Sequence, residues 1–177
     1  MFKDLNREFE KELGDYQATH DDYIARGEGG RLIELLPFSI NAFVHKTTGH
    51  NDTMVSFIKD YVVAFEADII NLLIGPLAEA KHIYETDGEV FNPQLVNLYA
   101  LKNYGGSSDL ALANEYLQSF SPCKQQQDEK LDELFVLAFN FISNQVNWAA
   151  ITRLAHYILN NNKIIISCEE VISLVEY

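Results

Sequence analysis

Residues 61–84 read YVVAFEADIINLLIGPLAEAKHIY and form the longest mostly apolar stretch of the chain. The apolar residues recur at helical spacing and cover most of the circumference, a pattern wider than the stripe of a surface helix. Such a helix is buried, so we expect the rest of the protein to pack around it. Gly75 and Pro76 interrupt the stretch. Because proline lacks an N–H and crowds the preceding turn, they predict a kink or a restart of the helix.

The flanking sequence predicts a mainly α protein with a small N-terminal antiparallel sheet. Residues 31–44 and 53–57 are rich in Ile, Val, Phe and Leu, which predicts two or three short strands. Behind the central helix, the apolar spacing predicts a series of further helices. These are a helix from Asn92-Pro93 to about Asn103, one from Asp109 to about Ser119, a long one starting at Ser121-Pro122, and one capped by Asn147.

Local signals predict the ends of these helices. Ser107 and Ser108 are expected to cap the second of them, and Ser167 with Glu170 forms a capping box that opens a last short helix. The predicted buried faces are Leu131, Leu134, Phe135, Ala138, Phe141 and Ile142 on the long helix, and Trp148, Ile151, Leu154, Ala155 and Ile158 on the next. No repeat and no long linker divides the chain, so residues 1–177 are predicted to form a single domain.

Charge and composition limit the classes of partner. The 26 acidic residues outnumber 13 Lys and Arg and give a net charge of −13, which argues against nucleic acid or an anionic membrane surface as a partner. We expect no membrane span, because the central stretch contains Glu66, Asp68 and Asn71. Cys123 and Cys168 match no metal-binding spacing, and the N-terminus is charged where a signal peptide is apolar. These features predict a cytoplasmic protein.

Two short motifs occur in order along the chain. Residues 74–80 read IGPLAEA and residues 105–110 read GGSSDL. The first resembles the Ala-Gly-x-Ala-Ala-Glu segment of FtsH-type zinc metallopeptidase domains, and the second is similar to the Gly-Ala-Ser-x-Asp-Leu segment of that family. The helical pattern from Asn147 onward is similar to the helices that finish that domain. The resemblance implies an FtsH peptidase-domain-like helical bundle, with Asp109 as a metal ligand and Glu79 as an acid close to the metal.

The main zinc-binding motif of that family is absent. The family carries His-Glu-x-x-His, in which two imidazoles on one helix face bind zinc and the glutamate activates a bound water. None of the five histidines here lies four residues from another. Alignment by the family spacing places His20-Asp21-Asp22-Tyr23-Ile24 at this position. The resemblance then implies His20 as a remaining metal ligand and Asp21 in place of the catalytic glutamate, while Ile24 cannot bind zinc.

Each of these residues also has a purely structural interpretation. Asp109 suits the first turn of a helix, where the helix dipole favours an acid, and Glu79 suits a solvent-facing helix position. His20 is typical of a surface histidine and Asp21 of a solvated acidic pair. Other catalytic schemes lack support, because the glycines at 27–30 have no phosphate-loop lysine and no Gly-x-Ser-x-Gly motif occurs.

Three hypotheses follow from the sequence. The first is a catalytically inactive relative of the FtsH-type domain that binds no cofactor and serves as a protein-binding or assembly module, with another protein or a second copy as partner. The second is a metal-dependent peptidase with an altered zinc ligand set, formed by His20 and Asp109 with Asp21 or another histidine. In the third, the resemblance is accidental and the chain is an unrelated helical domain.

Overall fold

A computed structural model describes residues 52–161 and 165–175, with side chains from residue 56 onward. Every regular element in these ranges is a helix, and no strand occurs among them. The elements are α1 (Asp52–Thr86), a 3-10 helix η1 (Ala100–Tyr104), α2 (Ser107–Phe120), α3 (Lys124–Ser143), α4 (Gln145–Asn160) and α5 (Cys168–Val175). The mainly helical prediction is confirmed for this part of the chain, and the predicted strand region 31–44 lies outside it.

The described residues fall into two compact units. Residues 52–148 belong to the larger unit, which contains α1, η1, α2, α3 and the first turn of α4. Residues 149–161 and 165–175 belong to the smaller one. The prediction of a single domain concerns the whole chain and stays a prediction.

The core of the larger unit is built on α1. One stripe of this 35-residue helix is completely buried, namely Phe65, Ile69, Leu73, Leu77 and Ala80. It packs against α3, α2 and η1. Full burial of a large apolar side chain stabilises a fold by about 1.5–3 kcal/mol, so this stripe dominates the packing of the unit. The prediction that other elements pack on this helix is confirmed, but its burial is limited to one stripe, since Val63 is 66% exposed.

The helix α1 continues through Pro76 without a break. The predicted restart is therefore wrong. The proline removes one backbone hydrogen bond from the helix, but Leu73 and Leu77 on either side of it are completely buried. Tertiary packing of the apolar face outweighs the local loss, as it does for most helices in proteins.

The helix also begins earlier than predicted. Residues 53–57 were expected to form a strand, but they belong to the first turns of α1. Ile58 and Tyr61 are buried in register with Phe65, so the buried stripe extends toward the N-terminus at helical spacing. Strand propensity in this short segment yields to the periodicity of the longer element.

The predicted helix from Asn92 to Asn103 does not form. Turns occupy most of this segment, and only η1 at its end is helical. The side-chain Oδ1 of Asn92 accepts hydrogen bonds from the backbone N–H groups of Gln94 (3.0 Å) and Leu95 (3.2 Å). The Oδ1 of Asn97 accepts one from Ala100 at 3.1 Å. Asparagine side chains that bond to nearby backbone compete with the helical ladder, which explains the difference.

Two predicted helix caps are displaced by one to three positions. Gly106 is the N-cap of α2, and Ser107 and Ser108 lie inside its first turn without capping it. Asn144, rather than Asn147, caps α4, because its Oδ1 accepts hydrogen bonds from the N–H groups of Val146 (2.9 Å) and Asn147 (3.3 Å).

The capping box of α5 is confirmed. The N–H of Ser167 donates to Glu170 Oε2 at 3.0 Å, and the N–H of Glu170 donates back to Ser167 Oγ at 3.3 Å. This reciprocal pair satisfies two donors that the first turn of a helix leaves free.

The predicted buried faces are confirmed for α3 apart from one residue. Phe141 is exposed, and Phe139 is buried instead, with its ring stacked on that of Phe91 at 4.6 Å between centroids. In α4 the predicted face is only half-buried and Ala155 is exposed, so no residue of this helix is fully buried.

One described helix meets the length and composition of a membrane span. It is the segment Ser56–Thr86 of α1, and 33% of its most apolar window is buried inside the protein. The central helices of soluble proteins meet the same criterion, so length and composition alone do not assign this helix to a membrane.

Candidate functional site

A pocket of about 370 Å³ opens where α1, η1 and the start of α2 meet. Its lining residues are Gly75, Pro76 and Glu79 of α1, Asn103 and Tyr104 of η1, and Gly105 and Asp109 at and after the turn into α2. The two sequence motifs that lie about thirty residues apart in the chain therefore line one pocket together. Both acids that the motifs single out, Glu79 and Asp109, line it.

A close contact between Pro76 of α1 and Gly106 at the start of α2 fixes the walls of the pocket. A Cβ built on Gly106 would lie 2.8 Å from Pro76 Cβ and 2.9 Å from the carbonyl oxygen of Leu101. Only glycine fits this position without displacing the proline ring or the backbone of η1. Pro76, predicted to disturb the helix, thus serves as the surface on which the start of α2 rests.

The turn that leads into α2 needs a second glycine. Gly105 has a φ of 76°, in the left-handed region that residues with a side chain rarely adopt. The N–H of Gly106 donates to Leu101 O at 3.0 Å, and the N–H of Leu110 donates to Gly106 O at 3.0 Å. These bonds close η1 and open α2, and they place Asp109 in the first turn of α2 as predicted.

The two pocket carboxylates have no polar partner in the described part of the chain. No hydrogen bond or ion pair there engages the carboxylate of Glu79 or of Asp109. Glu79 is exposed and Asp109 is half-buried. Burial raises the pKa of Asp109 above its usual value, because the charged form loses hydration that no donor replaces.

Tyr104 adds a neutral phenol to the pocket wall. Its pKa is raised by burial first, and then by a hydrogen bond with Tyr84 and the negative charge of Glu89. The phenol therefore stays protonated at neutral pH, with its hydroxyl already engaged in a hydrogen bond with Tyr84.

The described pocket residues do not fit a zinc site. They offer two carboxylates with amide and phenol oxygens, whereas zinc sites combine three or four imidazole, thiolate or carboxylate ligands. Within residues 52–161 and 165–175, no group of three or more His, Cys, Asp or Glu side chains is arranged to hold a metal ion. His20 and Asp21 lie outside these ranges, so their predicted roles stay predictions.

Sequence reasoning found the two acids but not the rest of the wall. Tyr104 and Asn103 directly precede the Gly105-Gly106 motif, and this proximity is the signal that points to them. The buried contact of Pro76 with Gly106 had no such signal, because its partners are thirty residues apart in the chain.

Comparison with known proteins gives no relative for this chain: no protein-family model matches it, and neither a curated protein nor a solved structure is significantly similar to it.

Proposed function

We propose that this chain is a catalytically inactive relative of FtsH-type zinc metallopeptidase domains that acts as a protein-binding or assembly module in the cytoplasm. The observation that carries the proposal is the meeting of the IGPLAEA and GGSSDL segments at one pocket, through Pro76 and Gly106. The resemblance implies this juxtaposition, because its two motifs border one site in that family. The sequence meanwhile lacks any pair of histidines four residues apart.

The chemistry of the pocket supports binding rather than catalysis. Among the described residues, Glu79 and Asp109 are acceptors without donors, and Tyr104 and Asn103 supply neutral hydrogen-bonding groups. A partner that brings N–H groups or a positive charge satisfies both carboxylates and relieves the cost of burying Asp109 uncompensated. The same groups lack an activated nucleophile, since no base is paired with a hydroxyl or thiol in the pocket.

A comparison of binding partners tests this proposal. Tagged wild-type protein and the double variant Glu79→Gln/Asp109→Asn are used to capture proteins from the native cell extract, with quantification by mass spectrometry. A specific partner is expected to be lost from the double variant but retained by Asp132→Asn, a matched control at an exposed position of α3. Light scattering after size exclusion checks whether that partner is a second copy. Equal capture by all three proteins would contradict a role of the pocket in binding.

The alternative function is a metal-dependent peptidase with an altered ligand set. The observation that favours it is the presence of two carboxylates in one pocket, one of them the aspartate that the resemblance assigns to zinc. Elemental analysis of protein purified without added metal separates the two functions. The inactive module is expected to hold far less than one equivalent of zinc, whereas a site with three or four protein ligands holds about one.

Activity provides the second criterion. Chelator-sensitive cleavage of casein that is lost in both Asp109→Asn and His20→Ala would establish the peptidase. Absence of cleavage with zinc, manganese, cobalt and calcium, in protein that is folded by circular dichroism, would leave the binding module as the function.

A further inference from the structure

A buried lysine lies outside the pocket, on the same helix. Lys81 is only 8% exposed, although lysine is almost never buried without a partner. Its Nζ donates a hydrogen bond to the backbone carbonyl of Ile142 at 2.9 Å and lies 4.5 Å from the centroid of the Trp148 ring. Glu85 Oε1 is 3.8 Å away. One ammonium group therefore joins α1 to the last turn of α3 and to the first turn of α4.

Trp148 closes this group into a ring of contacts. Its indole Nε1–H donates to Glu85 Oε2 at 2.9 Å, so the glutamate binds the tryptophan with one oxygen and faces Lys81 with the other. We call Lys81, Glu85 and Trp148 the Lys81 cluster. All three residues belong to the larger unit.

The contacts of Lys81 favour a cation. Ile142 lies in the last turn of α3, where carbonyls lack an intrahelical donor and carry the negative end of the helix dipole. The face of the indole ring also attracts a positive charge. Burial lowers the pKa of Lys81, with the charge of Glu85 acting in the opposite direction. The ammonium is thus held by specific partners against a desolvation cost.

Polar contacts of side chains, rather than buried apolar side chains, hold the first turn of α4 in place. No residue of α4 is fully buried. The side-chain amide of Asn147 donates to Phe141 O at 3.1 Å, and the cap at Asn144 holds the backbone of the turn. An element that is attached by polar contacts at a half-buried surface opens at lower free energy than the apolar core.

We propose that Lys81 and Glu85 form a latch that holds Trp148 and the first turn of α4 against α1, and that this turn can open while α1, α2 and α3 stay folded. Opening exposes the indole of Trp148 and the carbonyl of Ile142 to water. The buried apolar stripe of α1 is left in place, because none of its residues belongs to the Lys81 cluster.

The chain has one tryptophan, so its fluorescence reports the latch directly. Lys81→Met keeps the aliphatic stem and removes the ammonium. We expect the Trp148 emission to shift to longer wavelength and the amides of residues 145–150 to exchange about 10-fold faster, in line with the loss of hydrogen bonds to a charged group. Amide exchange in residues 65–73 and 131–139 is expected to match wild type. Lys59→Met, at an exposed lysine of the same helix, is the control and is expected to change neither signal.

A second variant decides the case in which Lys81→Met does not fold. Glu85→Ala removes the acceptor of the Trp148 N–H at an exposed position, and we expect the same two changes at smaller size. Unchanged emission and exchange in the folded variants would overturn the latch. A rise of exchange in the core that parallels the rise in residues 145–150 would also overturn it, because the first turn of α4 would then open only with the whole unit.

Discussion

Gly106 lies so close to Pro76 that a Cβ added to the glycine would stand 2.8 Å from the Cβ of the proline. This contact joins the middle of α1 to the start of α2 and determines where Glu79 and Asp109 stand relative to each other.

The substitution Gly106→Ala is expected to destabilise the protein by about 1–3 kcal/mol, the usual cost of an overpacked site. The added methyl group meets the proline ring and the Leu101 carbonyl at 2.8–2.9 Å, and neither is a flexible chain end. Chemical denaturation followed by circular dichroism measures the change.

Gly75→Ala is the matched control. A Cβ at Gly75 meets nothing within 4 Å outside its immediate chain neighbours. Helix propensity favours alanine there while the following proline opposes it, so we expect a change of no more than about 1 kcal/mol. Equal losses of stability in the two variants would show that close packing around Gly106 is not the cause of the destabilisation.

Asp109→Asn is expected to raise the melting temperature of the isolated protein at neutral pH by about 1–2 °C, the scale of a change at a partly exposed position. The folded-state pKa of Asp109 lies above its usual 3.8 because burial disfavours the charge. The folded state therefore binds the proton more tightly than the unfolded state, and stability attributable to this group rises as the pH falls through the raised pKa.

The difference between Asp109→Asn and wild type is expected to vanish at acidic pH, where the carboxyl is neutral in both states. Asp132→Asn, at an exposed position, is the control for the general effect of removing one negative charge. A lower melting temperature for Asp109→Asn at neutral pH would mean that the favourable position of the charge in the first turn of α2 outweighs its burial.

Lys130→Met is expected to cost about 1.5–3 kcal/mol, the range for hydrogen bonds to charged groups. The Lys130 ammonium lies 2.6 Å from Glu66 Oε1 on α1 and 3.1 Å from Glu133, and its side chain is 13% exposed. The control is Lys124→Met. The Lys124 side chain is 67% exposed, and its ion pair with Asp128 is expected to contribute less than about 1 kcal/mol.

The pH dependence of the Lys130 contribution follows from its pKa. Burial acts to lower the pKa, but hydrogen bonds and charges from Glu66 and Glu133 outweigh it and raise the pKa above 10.5. The stability that Lys130 contributes is therefore complete at pH values below its pKa in the unfolded state. It is lost as the pH rises through its pKa in the folded state. Denaturation of wild type and Lys130→Met between neutral and strongly alkaline pH checks this sign.

Tyr116→Phe is expected to cost about 1–3 kcal/mol, since it removes a hydrogen bond from a buried acid. The Tyr116 hydroxyl donates to Asp68 Oδ2 at 3.0 Å, and Asp68 is 6% exposed. Tyr99→Phe, at a ring that is 84% exposed, is the control and is expected to have almost no effect. Denaturation midpoints of the two variants give the comparison, and similar values would argue against this bond as a source of stability.

The apolar periodicity predicted the dominant element and most of its partners. The stripe on α1 and the face of α3 could be read from spacing alone, because burial in a helix bundle follows the 3.6-residue repeat. The same reasoning placed Asp109 in the first turn of a helix. The capping box at Ser167 and Glu170 was readable because both partners lie within four residues of each other.

The failures have two physical causes. At Pro76 and at residues 53–57, packing along a long helix overrode local propensity, and packing partners distant in the chain are not visible in a local pattern. At Asn92 and Asn97, the side-chain oxygen accepts hydrogen bonds from backbone N–H groups two or three residues further along, and this ended a helix that the apolar spacing favoured. Lys81 could not be recognised as buried either, since its partner Ile142 lies 61 residues away.

The residues that shape the pocket differ from the residues that carry its charge. Pro76, Gly105 and Gly106 build the frame through backbone conformation and close packing, while Glu79 and Asp109 project from it and bond to nothing in the described chain. Replacing either acid therefore leaves the frame intact. Changing these two side chains is therefore expected to alter the charge of the pocket while the helices beneath it remain a fixed support.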